Sequence, residues 1–298
     1  MISKKIKKKI PVIYIQGAAC TGCTTTLLCS NYPSIKNILL QDIVPGFKLE
    51  FIFHPTIMTA SGNLAMDILD KAAKEGGYVL IMDGAIPTKE NGVFCVIGEK
   101  NGKKYTILEE VLKLAPNASI AIALGTCAAF GGIAGASPNP TEALSVDDIF
   151  LSNKIKTPLI NIPGCPPHPD WLFGTLEDIL TNGLENVQLD DLKRPKTYFG
   201  KLIHENCPNR AYFDEGKFAK HFGDEGCLYE LGCKGPITYA DCPIRRWNGK
   251  VNWGIGSGSP CSGCTQPEYP DYVGDFYERI IDVEVPANER KIITQDKK

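Results

Sequence analysis

"PVIYIQGAACTGCTTT", Pro11 to Thr26, is the stretch on which the fold turns. A β-branched apolar run stops at Gly17, and the small residues after it read as a turn running into a helix. Two thiols, Cys20 and Cys23, stand at that junction with two residues between them. The pair alone suits a dithiol redox centre, half of a zinc site, or half of an iron–sulfur site.

Outward from this stretch the same pattern repeats. Short apolar runs ("LEFIFH", "YVLIMDG", "SIAIALG", "PLINIPG") alternate with helix-like segments ("NLAMDILDKAAKEG", "TILEEVLKLA", "PDWLFGTLEDILTNG") as far as about Asn182. Near-continuous apolar strands with helical crossovers predict a parallel sheet covered on both faces, an α/β doubly wound domain. Past about Asp190 the alternation stops, and the chain becomes rich in Gly, Pro, Asn and Cys. Such a segment builds little core of its own and needs something besides packing to organise it. The expected division is a basic leader at 1–10, a sheet domain at 11–189 and a C-terminal domain at 190–298.

The 298-residue chain carries a formal charge of −2, so its global balance does not point to nucleic acid. The run "KKIKKK", Lys4 to Lys9, reads as a solvated leader rather than a binding arm. The apolar segment behind it is too short for a signal peptide, no twin-arginine pair precedes it, and no stretch of 18 apolar residues occurs. The expectation is a soluble chain, not exported by any signal of its own. Twelve cysteines without a secretory signal point to metal or catalysis rather than a disulfide framework.

The cysteines fall into three groups. Cys20 and Cys23 follow the first strand, Cys127 follows "SIAIALGT", and Cys165 follows "PLINIPG". All lie just past the carboxyl ends of predicted parallel strands, the edge where open α/β sheets build their sites, so the four can converge. A thioredoxin-like pair would leave Cys127 and Cys165 unexplained. The second group is His204, Cys207, Cys227 and Cys233, with a zinc Cys₃His knuckle as the competing reading. The third is Cys242, Cys261 and Cys264, where the position for a fourth ligand, in "VNWGIGSG", holds glycine. Three thiolates suit a cluster lacking one iron better than a closed zinc site. Cys29 and Cys95 are left over and read as buried, inert thiols. His54, His168 and His221 read as structural or surface residues, and Arg245 and Arg246 as a solvated pair.

With these residues assembled, the chain resembles the small subunit of nickel–iron hydrogenases. The motifs "GAACTGCTTTLL", "GAIPTKENG", "GTCAAFGGI", "PNPTEA", "NIPGCPPHPDW", "HENCPNR", "CLYELGCKGPITYADCP", "RRWNGKVNW" and "SPCSGC" stand in the family's order, from about Ile13 to about Tyr277. The resemblance implies a flavodoxin-like N-terminal domain without flavin and a mostly irregular or helical C-terminal domain holding two clusters. It implies a proximal 4Fe–4S cluster on Cys20, Cys23, Cys127 and Cys165. It further implies a medial 3Fe–4S cluster on Cys242, Cys261 and Cys264, and a distal 4Fe–4S cluster near the surface on His204, Cys207, Cys227 and Cys233.

On this resemblance no catalytic residue lies in this chain. Hydrogen is oxidised or evolved at a nickel–iron centre on a separate large subunit, in a heterodimer or a dimer of heterodimers. Single electrons pass to or from an external acceptor near His204. Ala19 and Thr25 stand where the family often has acidic residues, which leaves a proton-relay role there unsupported. Gly22 and Gly132 stand where oxygen-tolerant members add cysteines, so an ordinary proximal cubane and ordinary oxygen sensitivity are expected. The absence of a twin-arginine leader or membrane helix resembles the cytoplasmic uptake and hydrogen-sensing branches. The expected location is therefore cytoplasmic, free or peripheral to a membrane complex. Two rival readings stand beside this one: a hydrogen sensor with the same ligands, and a zinc-bound structural protein.

Overall fold

The structure is a computed structural model that describes residues 8–271 and 276–280. Residues 1–7 of the basic leader and the charged end "NERKIITQDKK" lie outside the described residues. The chain divides into two compact units after Pro195.

Among its described residues the N-terminal unit contains nine strands: β1 (Lys8–Gln16), β2 (Phe47–Phe53), β3 (Val79–Asp83), β4 (Ile86–Pro87), β5 (Val96–Lys100), β6 (Lys103–Thr106), β7 (Ile120–Leu124), β8 (Ala143–Leu144) and β9 (Leu159–Ile162). Five of them form the main sheet in the order β2-β1-β3-β7-β9, and every pair in it is parallel. Counted within that sheet the order is 2-1-3-4-5, which places a topological switch point between β1 and β3. β4 with β8 and β5 with β6 make two small antiparallel ribbons. The leader does not end at residue 10 as expected. Lys8, Lys9 and Ile10 already belong to β1, because β2 offers them partners from Phe47 to Leu49 and Glu50 takes the Lys9 ammonium at 2.6 Å.

Burial explains the apolar runs. Val12, Ile13, Tyr14 and Ile15 are all fully buried, and so is each residue of β3 and β7. Successive strand residues point to opposite faces, so both faces are covered. One core gathers Ile13, Ile15, Leu80, Met82, Ala121 and Ala123 from the sheet against Met66, Leu69 and Val111. The helix Gly62–Glu75 supplies Ala65, Met66, Leu69 and Ala72 from one stripe and stops at Gly76, whose φ of 66° is open to glycine at little cost. The helix Ile107–Leu114 starts on a capping box between Thr106 and Glu109, visible in the sequence as Thr-x-x-Glu.

His54 is buried at the end of β2 and stacked on Tyr14, ring centroids 4.3 Å apart. Its Nδ1 accepts the Thr56 amide, and burial lowers its pKa to about 4. The unfolded chain takes up this proton near 6.5, so stability is lost as pH falls from about 6.5 towards 4. The loss is roughly 3 kcal/mol when complete. Denaturant titrations of a His54→Gln variant should show that much less acid destabilisation than the natural chain; an unchanged pH slope would contradict it.

The C-terminal unit has no strand pairing beyond isolated bridges among its described residues. Its elements are single turns, among them Ile203–Asn206, Arg210–Asp214, Leu228–Leu231 and Cys242–Arg245. Phe213, Cys227 and Tyr229, with Tyr212 and Phe218 against them, make a separate small apolar cluster. Among the described residues no helix is long and apolar enough to cross a membrane.

Candidate functional site

The strand order delivers the first four thiols to one crest. Cys20 lies in the loop after β1, and Cys23 sits in the short helix Gly22–Thr26. Cys127 sits in the helix Thr126–Phe130 directly after β7, and Cys165 lies in the loop after β9. The last two loops are sewn together: Thr126 donates its amide to Gly164 O at 3.0 Å, and its Oγ1 accepts the Gly164 amide at 2.8 Å. Close approach is allowed by missing side chains. A Cβ on Gly125, where φ is +87°, would lie 2.4 Å from Cys23 Sγ, and one on Gly22 would lie 3.1 Å from Cys20 Sγ and 3.8 Å from Pro166 Cβ. Burial pushes the Cys23 thiol well up, reinforced by Asp83, Cys127 and Cys20; burial likewise raises Cys127. Bare thiolates are therefore disfavoured here, and metal ions that replace their protons are the natural compensation.

Asp83 is the residue that the sequence reading passed over. It closes β3 at the switch point and is 1% exposed. Its Oδ2 accepts from Tyr14 Oη at 3.1 Å, Gln16 Nε2 at 3.3 Å and Thr24 Oγ1 at 3.3 Å, while Oδ1 is buried without a hydrogen-bond partner. Burial raises its pKa, and the donors around it, Cys23 first, hold it down. The signal was present in "YVLIMDG": an acid ending an apolar run at the carboxyl edge of a central strand.

The second and third groups both lie in the C-terminal unit. His204, Cys207, Cys227 and Cys233 line one small cavity, together with Ile203, Leu228, Tyr229, Pro236 and Ile255. His204 Nε2 is buried with no hydrogen-bond partner, and burial followed by the Arg210 guanidinium lowers its pKa to about 4. An imidazole whose buried Nε2 has no hydrogen-bond partner, lining one cavity with three thiols, is a donor set suited to metal. Burial pushes the Cys227 thiol up to about 12, with Cys233 and Cys207 adding to it. The turn Ile203–Asn206 buries His204, and Phe213 covers the ring edge-on at 4.5 Å.

Cys242, Cys261 and Cys264 form the third set. Burial, then Cys264 and Cys261, raise the Cys242 thiol; burial, then Cys233 and Cys264, raise Cys261. Gly254 is helical in backbone, and a Cβ there would meet nothing nearer than Ser259 O at 3.9 Å, so the trio has no fourth thiol from "VNWGIGSG". The second and third sets touch: the Cys261 amide donates to Cys233 Sγ at 3.4 Å. A common device recurs, in which a cysteine sulfur accepts the amide two residues on. It holds for Cys20 with Gly22, Cys233 with Gly235 and Cys261 with Gly263, each at 3.4 Å, and for Cys207 with Asn209 and Cys227 with Tyr229. Hydrogen bonds to sulfur are among the levers that set iron–sulfur potentials.

A family model for the C-terminal part of the NiFe/NiFeSe hydrogenase small subunit matches residues 199–277, and one described as "NADH ubiquinone oxidoreductase, 20 Kd subunit" matches residues 20–179. The periplasmic [NiFeSe] hydrogenase small subunit of Desulfomicrobium baculatum is 44% identical over 282 residues, covering 91% of this chain and 87% of that one. The chain belongs to the nickel–iron hydrogenase small subunits. The hydrogenase-2 small chain of Escherichia coli K12 is 40% identical, over 86% of this chain and 67% of its own. A solved structure of the D. baculatum [NiFeSe] hydrogenase superposes with a TM-score of 0.85 at 42% identity, covering 92% of this chain and all of that one. The actinobacterial-type hydrogenase of Ralstonia eutropha H16 reaches 0.85 at 28% identity, covering 97% and 86%. The hydrogenase small subunit is thus part of an oxidoreductase complex.

The remaining residues correct three expectations. Cys29 is exposed, because the first helix ends at Thr26 and the tight turn Leu27–Cys29 buries only Leu27. Cys95 is half-buried, and burial raises its thiol to about 11. Arg245 is not solvated: it binds Asp241 through Nε at 2.9 Å and Nη2 at 2.7 Å and lies over the Tyr198 ring. His168 caps the helix Pro169–Asn182 through Nδ1, and His221 is exposed beside Asp224.

Proposed function

We propose that this small subunit relays single electrons between the nickel–iron site of a large-subunit partner and an external acceptor, through three iron–sulfur clusters. Cys20, Cys23, Cys127 and Cys165 hold a proximal 4Fe–4S cluster. Cys242, Cys261 and Cys264 hold a medial 3Fe–4S cluster, and His204, Cys207, Cys227 and Cys233 hold a distal 4Fe–4S cluster. The observation that carries the reading is the cavity lined by four separated residues, with His204 Nε2 buried and without a hydrogen-bond partner. The sheet order 2-1-3-4-5 supports a flavodoxin-like reading of the N-terminal unit.

The third set favours clusters over the zinc alternative, because three thiolates suit a cluster lacking one iron better than a closed four-ligand zinc site.

Bound clusters supply one-electron acceptance with little rearrangement. The chain supplies the rest. Cys227 and Cys233 are buried, the amides two residues on from five of the cysteines point at sulfur, and the Cys261 amide joins the third set to the second. The His204 ring, packed under Phe213 with Arg210 over the Phe213 ring, is the side from which electrons leave for an acceptor.

Anaerobic co-purification of the chain with its partner, read for metals and acid-labile sulfide, tests this. Brown protein containing iron and sulfide, with a nickel-bearing large subunit, is expected. Colourless protein with zinc would overturn it.

A further inference from the structure

Among the described residues, five buried side-chain atoms have no hydrogen-bond partner: Asp83 Oδ1, Glu110 Oε2, Asn161 Oδ1, His204 Nε2 and Gln266 Nε2. The three oxygens belong to groups whose other polar atom is bonded. Tyr14 donates to Asp83 Oδ2 at 3.1 Å, Lys113 to Glu110 Oε1 at 2.6 Å, and Asn161 Nδ2 donates to Leu192 O at 2.9 Å. The imidazole is assigned above as a ligand. Gln266 Nε2 differs from all of these, because an amide nitrogen can only donate. Its residue is 6% exposed, and a buried donor left unmet costs about 1–3 kcal/mol. Such a group calls for an acceptor that the polypeptide itself does not supply.

The place of Gln266 says which acceptor. It stands two residues past Cys264, and its amide donates to Gly263 O at 2.9 Å, closing a turn with Cys264 and Thr265 at its centre. The Gly263 amide in turn donates to Cys261 Sγ at 3.4 Å. Thr265 Oγ1 donates to Tyr239 O at 2.9 Å, which ties the turn to the segment leading into Cys242. Gln266 O accepts the Tyr269 amide at 3.2 Å. The main chain of Gln266 is thus bonded on both sides, and its side-chain nitrogen is left over beside the third cysteine set.

We infer that Gln266 Nε2 donates a hydrogen bond to a sulfur of the medial cage and thereby raises the reduction potential of that cage. This deepens the cluster reading above and rests on it. A donor is held more strongly by the more negative partner, so the bond favours the cage that has gained an electron. An anionic cage also decides which way the amide turns, since its oxygen would be repelled by sulfur and its NH₂ attracted. The second and third sets receive main-chain amides at sulfur as well; Gln266 adds a side-chain donor, which a substitution can remove without touching the backbone.

The test uses the assembled enzyme, purified without air, and makes two measurements. In wild-type enzyme grown with glutamine labelled at its side-chain nitrogen, pulsed electron paramagnetic resonance of the oxidised medial cluster should show coupling to that nitrogen. In Gln266→Met, which keeps length and loses the donor, the coupling should vanish. Redox titration of that variant should show the medial equilibrium moved at least about threefold toward the oxidised form, about 28 mV at about 59 mV per tenfold. The proximal and distal clusters should not move. Absence of the coupling in wild-type enzyme with full iron content would overturn the inference and leave the cluster reading intact, and this result stands even if Gln266→Met fails to assemble. An unchanged medial potential in the variant, or a distal shift as large as the medial one, would overturn it too. Wild-type enzyme without iron and sulfide would overturn the cluster reading itself, and the inference with it.

Discussion

Extraction of iron under anaerobic, reducing conditions should unfold the C-terminal unit and leave the N-terminal unit standing. Residues 8–195 contain a five-stranded sheet whose strands β3, β7 and β9 are buried throughout, and Trp171, Tyr14, Tyr78 and Phe173 are fully enclosed. Residues 196–271 contain single turns, with Phe213, Cys227 and Tyr229 as a small separate core. Two of the residues that make up or edge that core, Cys227 and His204, are proposed ligands. Structural metal sites contribute on the order of 10 kcal/mol, comparable with the whole stability of a domain. Limited proteolysis after iron removal should therefore cut freely beyond residue 196 while earlier segments stay protected. Re-addition of iron and sulfide should restore resistance. A C-terminal unit that resists protease without iron would mean that packing, not the cages, organises it.

The second large effect separates the two ends of the relay. Replacing His204 by Ala should cut acceptor reduction by roughly the 10- to 100-fold seen when metal-site environments are damaged, or more, since a ligand itself is lost. Hydrogen–deuterium exchange, which needs no acceptor, should stay close to wild type. The imidazole is the non-thiolate member of its set and lies under Phe213, with Arg210 over that ring. Equal losses in the two assays would place His204 in the stability of the whole enzyme rather than in electron exit.

Both expectations use residues whose importance was readable at different levels. The parallel sheet was legible because β1, β3, β7 and β9 are buried on both faces and so read as continuous apolar runs. The first four cysteines were legible as one set because strand ends of a doubly wound sheet share an edge, a rule that needs no side-chain detail. Asp83 was overlooked because a lone acid after an apolar run also suits an ordinary turn; only its buried Oδ1 and its link to Cys23 mark it. Lys8 to Ile10 were placed in the leader because their extension depends on β2, which lies far along the chain.

Sequence alone determined the family, the eleven candidate ligands in their three groups, and the alternation that makes the N-terminal unit an α/β sheet. These are local or periodic properties, and regular backbone geometry writes them directly into residue order. Tertiary structure alone decided that Cys29 faces outward, that His204 is roofed by Phe213, that the Cys261 amide donates to Cys233 Sγ, and that Lys234 is buried. The C-terminal unit has no period to read, so its contacts come from turns and hydrogen bonds between residues distant in sequence, and only the folded chain brings those together.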